Sequence, residues 1–361
     1  MTTPAERADV AVLIGRFQML HVGHAALLRQ ALEVAERCVV VVRSAFQARA
    51  PHRPLTWTEQ RETIRLALPP AERDRVEVLP MRDHHDAQRW ERIVVREVEA
   101  IARRHGTAAH PSVALIASLD DSTAAALRDR AGWHLVPAVD RSGLGSAAIR
   151  DALFGATPQG AGAALAALGD VLAPGSADFL RAWLELPYVE PLRAGWAALR
   201  EQALAWAGSP YPPVFVTVDA VVRCAGQVLL IVRDRHPGLG LNALPGGFIE
   251  QDETLYAAAV RELAEETQLK LLDTTLRASL RGVEVFDAPQ RSQRGRTITH
   301  AHCFDLGERA PPDVLGGDDA ASARWVPIVE LAAMEDSFLD DHFQILDHFL
   351  GLTHDDGEPA A

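Results

Sequence analysis

Three glutamates, Glu262, Glu265 and Glu266, stand at spacing i, i+3, i+4 in the segment AAAVRELAEETQL. On a helix that spacing puts all three carboxylates on one face. They repel one another unless a cation neutralises them, and hard oxygen donors select Mg2+ or Mn2+. A metal on that face bridges a diphosphate and acidifies an attacking water, which is the chemistry of phosphoanhydride hydrolysis. Arg261 is expected to pair with a glutamate and hold its orientation. The alternative is an ordinary solvated acidic helix.

A second constellation, GRFQMLHVGH (15–24), sets His21 and His24 on either side of Gly23 where an apolar run gives way to a helical pattern. Both imidazoles can donate to phosphate oxygens, and Gly23 permits close backbone approach. A helix starting near His24 adds unpaired N–H groups and a favourable dipole. Downstream, Arg291, Arg294 and Arg296 fall within six residues. Guanidinium groups there would offset a diphosphate, or else form a solvated turn.

The elements that must position these groups differ between the two halves. Continuous apolar strands at 10–15, 38–44, 76–81, 112–117 and 133–138 alternate with helices at 24–36, 58–68 and 90–104. That pattern predicts a parallel sheet covered on both faces, with ligands at the carboxyl ends of its strands. Residues 155–175 are rich in Gly, Ala and Pro and read as a connector with one short helix; 176–207 read as helical, with Trp183, Trp196 and Trp206 packing. From Val214 the pattern becomes mixed: strands either side of Ala225-Gly226, a glycine-rich loop HPGLGLNALPGGF, a helix over 254–268, strands at 278–286, 297–305 and 323–327, and a closing helix over 338–350. The expected organisation is a Rossmann-like α/β domain over 8–155, a partly helical connector over 156–211 and an α+β domain over 212–352.

The net charge of −13 argues against nucleic acid as the main partner, though local arginines or metal ions still admit nucleotides. Three scattered cysteines, Cys38, Cys224 and Cys303, form no CxxC pair and fit a reducing compartment. The opening MTTPAERADV lacks a signal-peptide core and no apolar run reaches membrane-span length, so a cytoplasmic protein with no membrane partner is expected.

Beyond these readings, GFIEQDETLYAAAVRELAEETQL (247–269) resembles the Nudix box. Gly247, Glu253, Arg261, Glu262, Leu263, Glu265, Glu266 and Leu269 fit it; Gln268 replaces the usual last glycine and leaves the C-cap geometry open. The resemblance implies that the glutamates are catalytic metal ligands. FDAPQRSQRGRTITHA, GGDDAASARWVP and DDHFQIL extend it over nearly all of 212–350, towards ADP-ribose pyrophosphatases fused to nicotinamide-nucleotide adenylyltransferases and their regulator relatives. It implies hydrolysis of ADP-ribose to AMP and ribose 5-phosphate.

GRFQMLHVGH in turn resembles the GRFQPxHxGH signature of nucleotidyltransferases. The resemblance implies joining of nicotinamide mononucleotide (NMN) to the adenylyl group of ATP, with Gly15, Arg16, Phe17, Gln18, His21, Gly23, His24, Ser146 and Arg150 at the phosphates. It places Trp57 (in RPLTWTEQR) and Trp90 (in DAQRW) at the nicotinamide, or else in the core, and matches Asp121 in ASLDDS. Met19 stands where the family has Pro, Asp120 replaces a basic residue, and Gly145 and Ala147 in LGSAAIR lack the family's hydroxyls. Two readings therefore stay open: a bifunctional enzyme of NAD metabolism, or an active Nudix hydrolase carrying a nucleotide-binding module. A regulator is a third, but no basic DNA-reading helix is visible. The resemblance implies a homodimer.

Overall fold

The computed structural model describes residues 7–105, 111–139 and 145–353. Leu144, the first residue of LGSAAIR, lies outside the described residues. The chain divides into two compact units, residues 1–193 and 194–361.

The first unit is built on strands β1 (Ala8–Gly15), β2 (Ala35–Val42), β3 (Val76–Pro80), β4 (Val113–Ala117) and β5 (His134–Pro137). All pairings are parallel, in the order β3-β2-β1-β4-β5. The central strands carry long apolar runs, 10–14 in β1, 38–42 in β2 and 113–117 in β4, because successive side chains enter different cores. Ala11 and Leu13 pack with Leu27, Leu28, Ala31 and Leu32 of α1 (Val22–Val34) and Ile64 of α2 (Trp57–Leu66). Val10 and Val12 pack with Val94, Val98 and Ile101 of α3 (Ala87–His105) and Leu127 of α4 (Ser122–Ala131). Asp121 caps α4 by accepting from the Thr123 and Ala124 N–H groups, and Gly132, in the left-handed region, ends it.

α5 (Ser146–Gly155), α6 (Ala161–Ala167), α7 (Ser176–Trp183) and α8 (Val189–Ala205) follow. The helix expected over 176–207 is broken at residues 184–188, where Pro187 offers no N–H. Trp183 is buried, Trp196 half-buried and Trp206 exposed. The Ala/Gly-rich stretch before α7 does specific work: the Val22 N–H donates to Val171 O (2.9 Å) and the Ala173 N–H to Leu20 O (3.1 Å), pinning the histidine motif.

The second unit holds strands β6 (Val214–Cys224), β7 (Gln227–Arg233), β8 (Asn242–Ala243), β9 (Gly246–Phe248), β10 (Leu280–Phe286), β11 (Arg296–Asp305) and β12 (Ala320–Pro327). Five run in the order β10-β11-β6-β7-β12, while β8 pairs with β7 and β9 with β6. β6 and β11 are parallel, and the other pairings antiparallel. Helices α9 (Leu255–Thr267) and α10 (Asp273–Ser279) cover Ala220, Val222 and Phe304. After α11 (Ile328–Leu331), α12 (His342–Leu350) covers Val221, Val228 and Leu230. The strand expected from 278 begins at Leu280, because Asp273–Ser279 is helical. The closing helix begins at His342 rather than 338, since Phe338 bridges Asn242 and the Leu339 N–H donates to Asn242 O.

Candidate active sites

α9 starts at Thr254, whose hydroxyl accepts from the Ala257 N–H. It ends at Gln268, which takes a left-handed conformation (φ 52°) and donates its N–H to Ala264 O. The C-cap that glycine usually supplies is thus retained at the cost of a strained glutamine. Between the caps, Arg261 organises the acidic face. Its guanidinium donates to both Glu253 oxygens (3.1 and 2.7 Å), to Glu262 Oε1 (2.8 Å), to Glu265 Oε2 (3.1 Å) and to Phe248 O (3.1 Å).

Glu266 is buried and receives no hydrogen bond from Arg261. Its Oε2 accepts from the Gly246 N–H (2.8 Å), and Asp319 approaches it from the loop before β12. Burial, the Asp319 carboxyl and Glu262 together push the Glu266 carboxyl up to about 9. Burial likewise raises Glu262, against the opposing pull of Arg261. A Cβ at Gly247 would lie 2.5 Å from Glu262 Oε1, so any side chain there would displace that carboxylate. The Gly317 N–H donates to Glu266 O (3.1 Å), and a Cβ at Gly317 would lie 2.4 Å from Glu265 O. This close approach carries Asp319 to the glutamates.

The acidic face borders a cavity of about 690 Å3. Arg294 lines it, with its guanidinium 5.6 Å from the centre of the Phe248 ring. Burial and the like charge of Arg233 lower the Arg294 pKa. Arg291 is instead buried in a bidentate pair with Asp341 (2.8 and 2.7 Å), and Arg296 donates to Asp287 O.

In the first unit the histidine motif leaves the carboxyl end of β1. Phe17 (φ 41°) and Met19 (φ 31°) both sit in the left-handed region. Gln18 between them is buried, and its amide exchanges two 3.0 Å hydrogen bonds with the Leu55 backbone. Ser146, at the start of α5, donates to Gln18 O (3.1 Å). Three separate segments therefore over-determine a strained turn. His21 and His24 stack with ring centres 3.9 Å apart, and the His21 N–H points to His24 Nδ1 (3.4 Å). With Nδ1 accepting, the neutral His24 ring carries its proton on Nε2, where it can donate to a ligand. Burial lowers the pKa of Arg16 and of Arg150; Asp83 opposes this at Arg16 and Asp151 at Arg150, while a neighbouring guanidinium adds a smaller lowering, Arg43 for Arg16 and Arg16 for Arg150.

Residues 213–349 match the NUDIX domain family model, and residues 12–151 the cytidylyltransferase-like model. An ADP-ribose pyrophosphatase of Methanocaldococcus jannaschii is 34% identical over 135 residues, spanning 37% of this chain and 72% of that protein. The chain belongs to the Nudix family. Its Nudix domain is preceded by a nucleotidyltransferase-like domain, and the pair matches one solved structure almost end to end. That structure is a bifunctional NMN adenylyltransferase/ADP-ribose pyrophosphatase of Francisella tularensis, complexed with AMP and a manganese ion. It is 27% identical with a TM-score of 0.84, over 95% of this chain and 99% of that one. The ADPR-responsive transcriptional repressor NtrR of Acinetobacter baylyi is 27% identical over 161 residues, spanning 43% of this chain and 60% of that protein.

The structure brings Gly247, Glu253, Arg261, Glu262, Glu265 and Glu266 of the Nudix box together. In the other domain it gathers Arg16, Gln18, His21, His24, Ser146 and Arg150, with Gly15 at the end of β1 and Gly23 in the first turn of α1. Trp90 is buried in the core with the Arg43 guanidinium 4.8 Å over its ring. Trp57 packs edge-on against Phe46 and is half-buried. Asp121 is committed to capping α4, and the Ser118 hydroxyl holds the exposed Asp120 below the usual carboxylate range. Gly145 caps α5 with no side-chain hydrogen bond.

Sequence reasoning missed Asp319. The signal was the glycine pair Gly316-Gly317 just before two acids, which marks close backbone approach. Among the described residues no three His, Cys, Asp or Glu side chains converge as a ready metal site, because Arg261 holds Glu262 and Glu265. The donor set nonetheless fits a divalent cation: Glu262, Glu266 and Asp319 are hard oxygen donors, and their proximity adds to the burial that raises Glu266. Among the described residues no helix is long and apolar enough to cross a membrane.

Proposed function

We propose that the Nudix domain hydrolyses ADP-ribose with water to AMP and ribose 5-phosphate, and that the N-terminal domain joins NMN to the adenylyl group of ATP, releasing pyrophosphate and forming NAD. The observation that carries this reading is a like-charge cluster in each domain that calls for an oppositely charged ligand. In the Nudix domain it is the carboxylate cluster around Glu266; in the N-terminal domain it is Arg16 beside Arg150, two half-buried guanidiniums whose mutual repulsion Asp83 and Asp151 offset. Glu262, Glu265 and Glu266, with Asp319 beside Glu266, would hold Mg2+ or Mn2+, which when bound would supply Lewis acidity and an acidified water.

The chain's own groups do the rest. Arg261 keeps the glutamates on one face, and the Gly246–Gly247 backbone presses against them without a side chain. Arg294, which makes no ion pair among the described residues, faces the cavity as a counter-charge for a diphosphate. In the N-terminal domain, Arg16 and Arg150 would bind a triphosphate while His24 Nε2–H donates to it. Holding both nucleotides in line and stabilising charge on phosphate is all that this transfer requires of the protein.

The test is to incubate the full-length chain with Mg2+ and either ADP-ribose or NMN plus ATP. AMP release from the first and NAD with pyrophosphate from the second are expected. Absence of AMP would sink the Nudix assignment, and absence of NAD the adenylyl-transfer assignment.

A further inference from the structure

The cavity beside the Nudix box has a wall that the box does not supply. Ala198, Glu201, Gln202 and Ala205 of α8 all line it. Their spacing, i, i+3, i+4, i+7, places them on one helix face. They belong to the second unit and precede the residues matched by the Nudix model. The two alanines leave room around two long polar side chains.

Most charged groups on the opposite wall are already engaged. Arg261 and Glu262 hold each other, and Asp319 lies against Glu266 and the Arg235 guanidinium (3.1 Å). Glu201 and Gln202 make no side-chain hydrogen bond or ion pair among the described residues. The volume, about 690 Å3, exceeds what a diphosphate fills and suits a nucleoside diphosphate sugar. In such a ligand the anionic diphosphate belongs with Arg294 and the metal-binding face. A carboxylate repels phosphate. It accepts two hydrogen bonds well from a vicinal diol, the way an acidic side chain reads ribose hydroxyls in dinucleotide sites.

Resting on the ADP-ribose reading above, we propose that α8 forms the sugar-recognising wall of this site, with Glu201 accepting hydrogen bonds from a ribose cis-diol and Gln202 bonding the hydroxyl or ring oxygen beside it. Glu201 is thereby a specificity-determining residue, selecting ribose-bearing diphosphates over those whose diol is missing or blocked.

The test is a mutant cycle on the full-length protein. AMP release is measured from ADP-ribose and from two analogues, one lacking the 2′-hydroxyl of the adenosine ribose, the other that of the terminal ribose, for wild type, E201A and E201Q. In wild type, one analogue is expected to lose about tenfold in kcat/KM, the scale of a hydrogen bond to a charged group. E201A should lose about tenfold on ADP-ribose itself and under about twofold more on that analogue, while E201Q falls between. Equal penalties for the analogues in wild type and E201A overturn the proposal. If wild type releases no AMP from ADP-ribose, the functional reading falls first and takes this one with it.

Discussion

Glu266→Gln separates the electrostatic argument from a merely structural one. The carboxyl is pushed from 4.5 up to about 9 on folding. Stability owed to this group is therefore complete below pH 4.5 and is lost as pH rises through about 9. Each pH unit in that window costs about 1.4 kcal/mol, so at pH 7 the metal-free carboxyl costs about 3 kcal/mol and at pH 8.5 about 5. Glutamine never ionises. Its oxygen can still accept from the Gly246 N–H, and its amide can donate to Asp319 where the protonated acid does now. Calorimetry in EDTA should show the C-terminal transition of the variant to be the more stable at pH 7, by more at pH 8.5, with no difference near pH 4.5. Adding Mg2+ should stabilise wild type and narrow the gap. AMP release should fall about a hundredfold, the scale of losing one charged contact of about 3 kcal/mol. A variant less stable than wild type at pH 8.5 in EDTA would refute the reasoning, as would hydrolysis within tenfold of wild type.

Three further outcomes follow from single contacts. Gln268→Gly should stabilise the Nudix domain by about 0.5–1 kcal/mol, because glycine takes the left-handed C-cap without strain; an unchanged melting temperature would contradict this. Gln18→Ala should destabilise the N-terminal domain by about 1–3 kcal/mol and slow NAD formation. The buried Leu55 N–H then loses its acceptor, while Leu55 O keeps Gln60; a loss below about 0.5 kcal/mol in urea titration would mean that the turn is held otherwise. Burial raises the pKa of Glu59, but hydrogen bonds from Arg49, the Thr56 N–H and Tyr188 outweigh it, so the net shift is downward. Its contribution is present above about pH 4.5 and lost as pH falls through the lowered value, so Glu59→Gln should flatten the acid limb of the stability curve.

Most of the architecture was legible because its causes are local. Strands buried on both faces cannot hide their Val and Leu runs, and the glutamate spacing of α9 is one helix face whatever surrounds it. The misplaced boundaries were those set by distant partners. Phe338 and Leu339 are apolar enough for a helix, yet Asn242, almost a hundred residues away, holds them extended. Residues 171–173 lie in a stretch that reads as a loose connector, and nothing in its Ala/Gly composition announces that it clamps the histidine motif.

The same division runs through the sites. Residue types and spacing alone determined that this chain carries a carboxylate helix and a histidine–glycine turn, because those chemistries depend on a few neighbouring residues. Only the tertiary structure decided which arginine faces the Nudix cavity. Arg291 and Arg294 are equivalent as letters; Asp341 claims the first, and the second is left beside Arg233 over Phe248. Only the fold brought Asp319 to Glu266 and turned Gln18 from the phosphate motif towards Leu55. Burial and charge at a point depend on every chain segment that reaches it, and those segments are far apart in sequence.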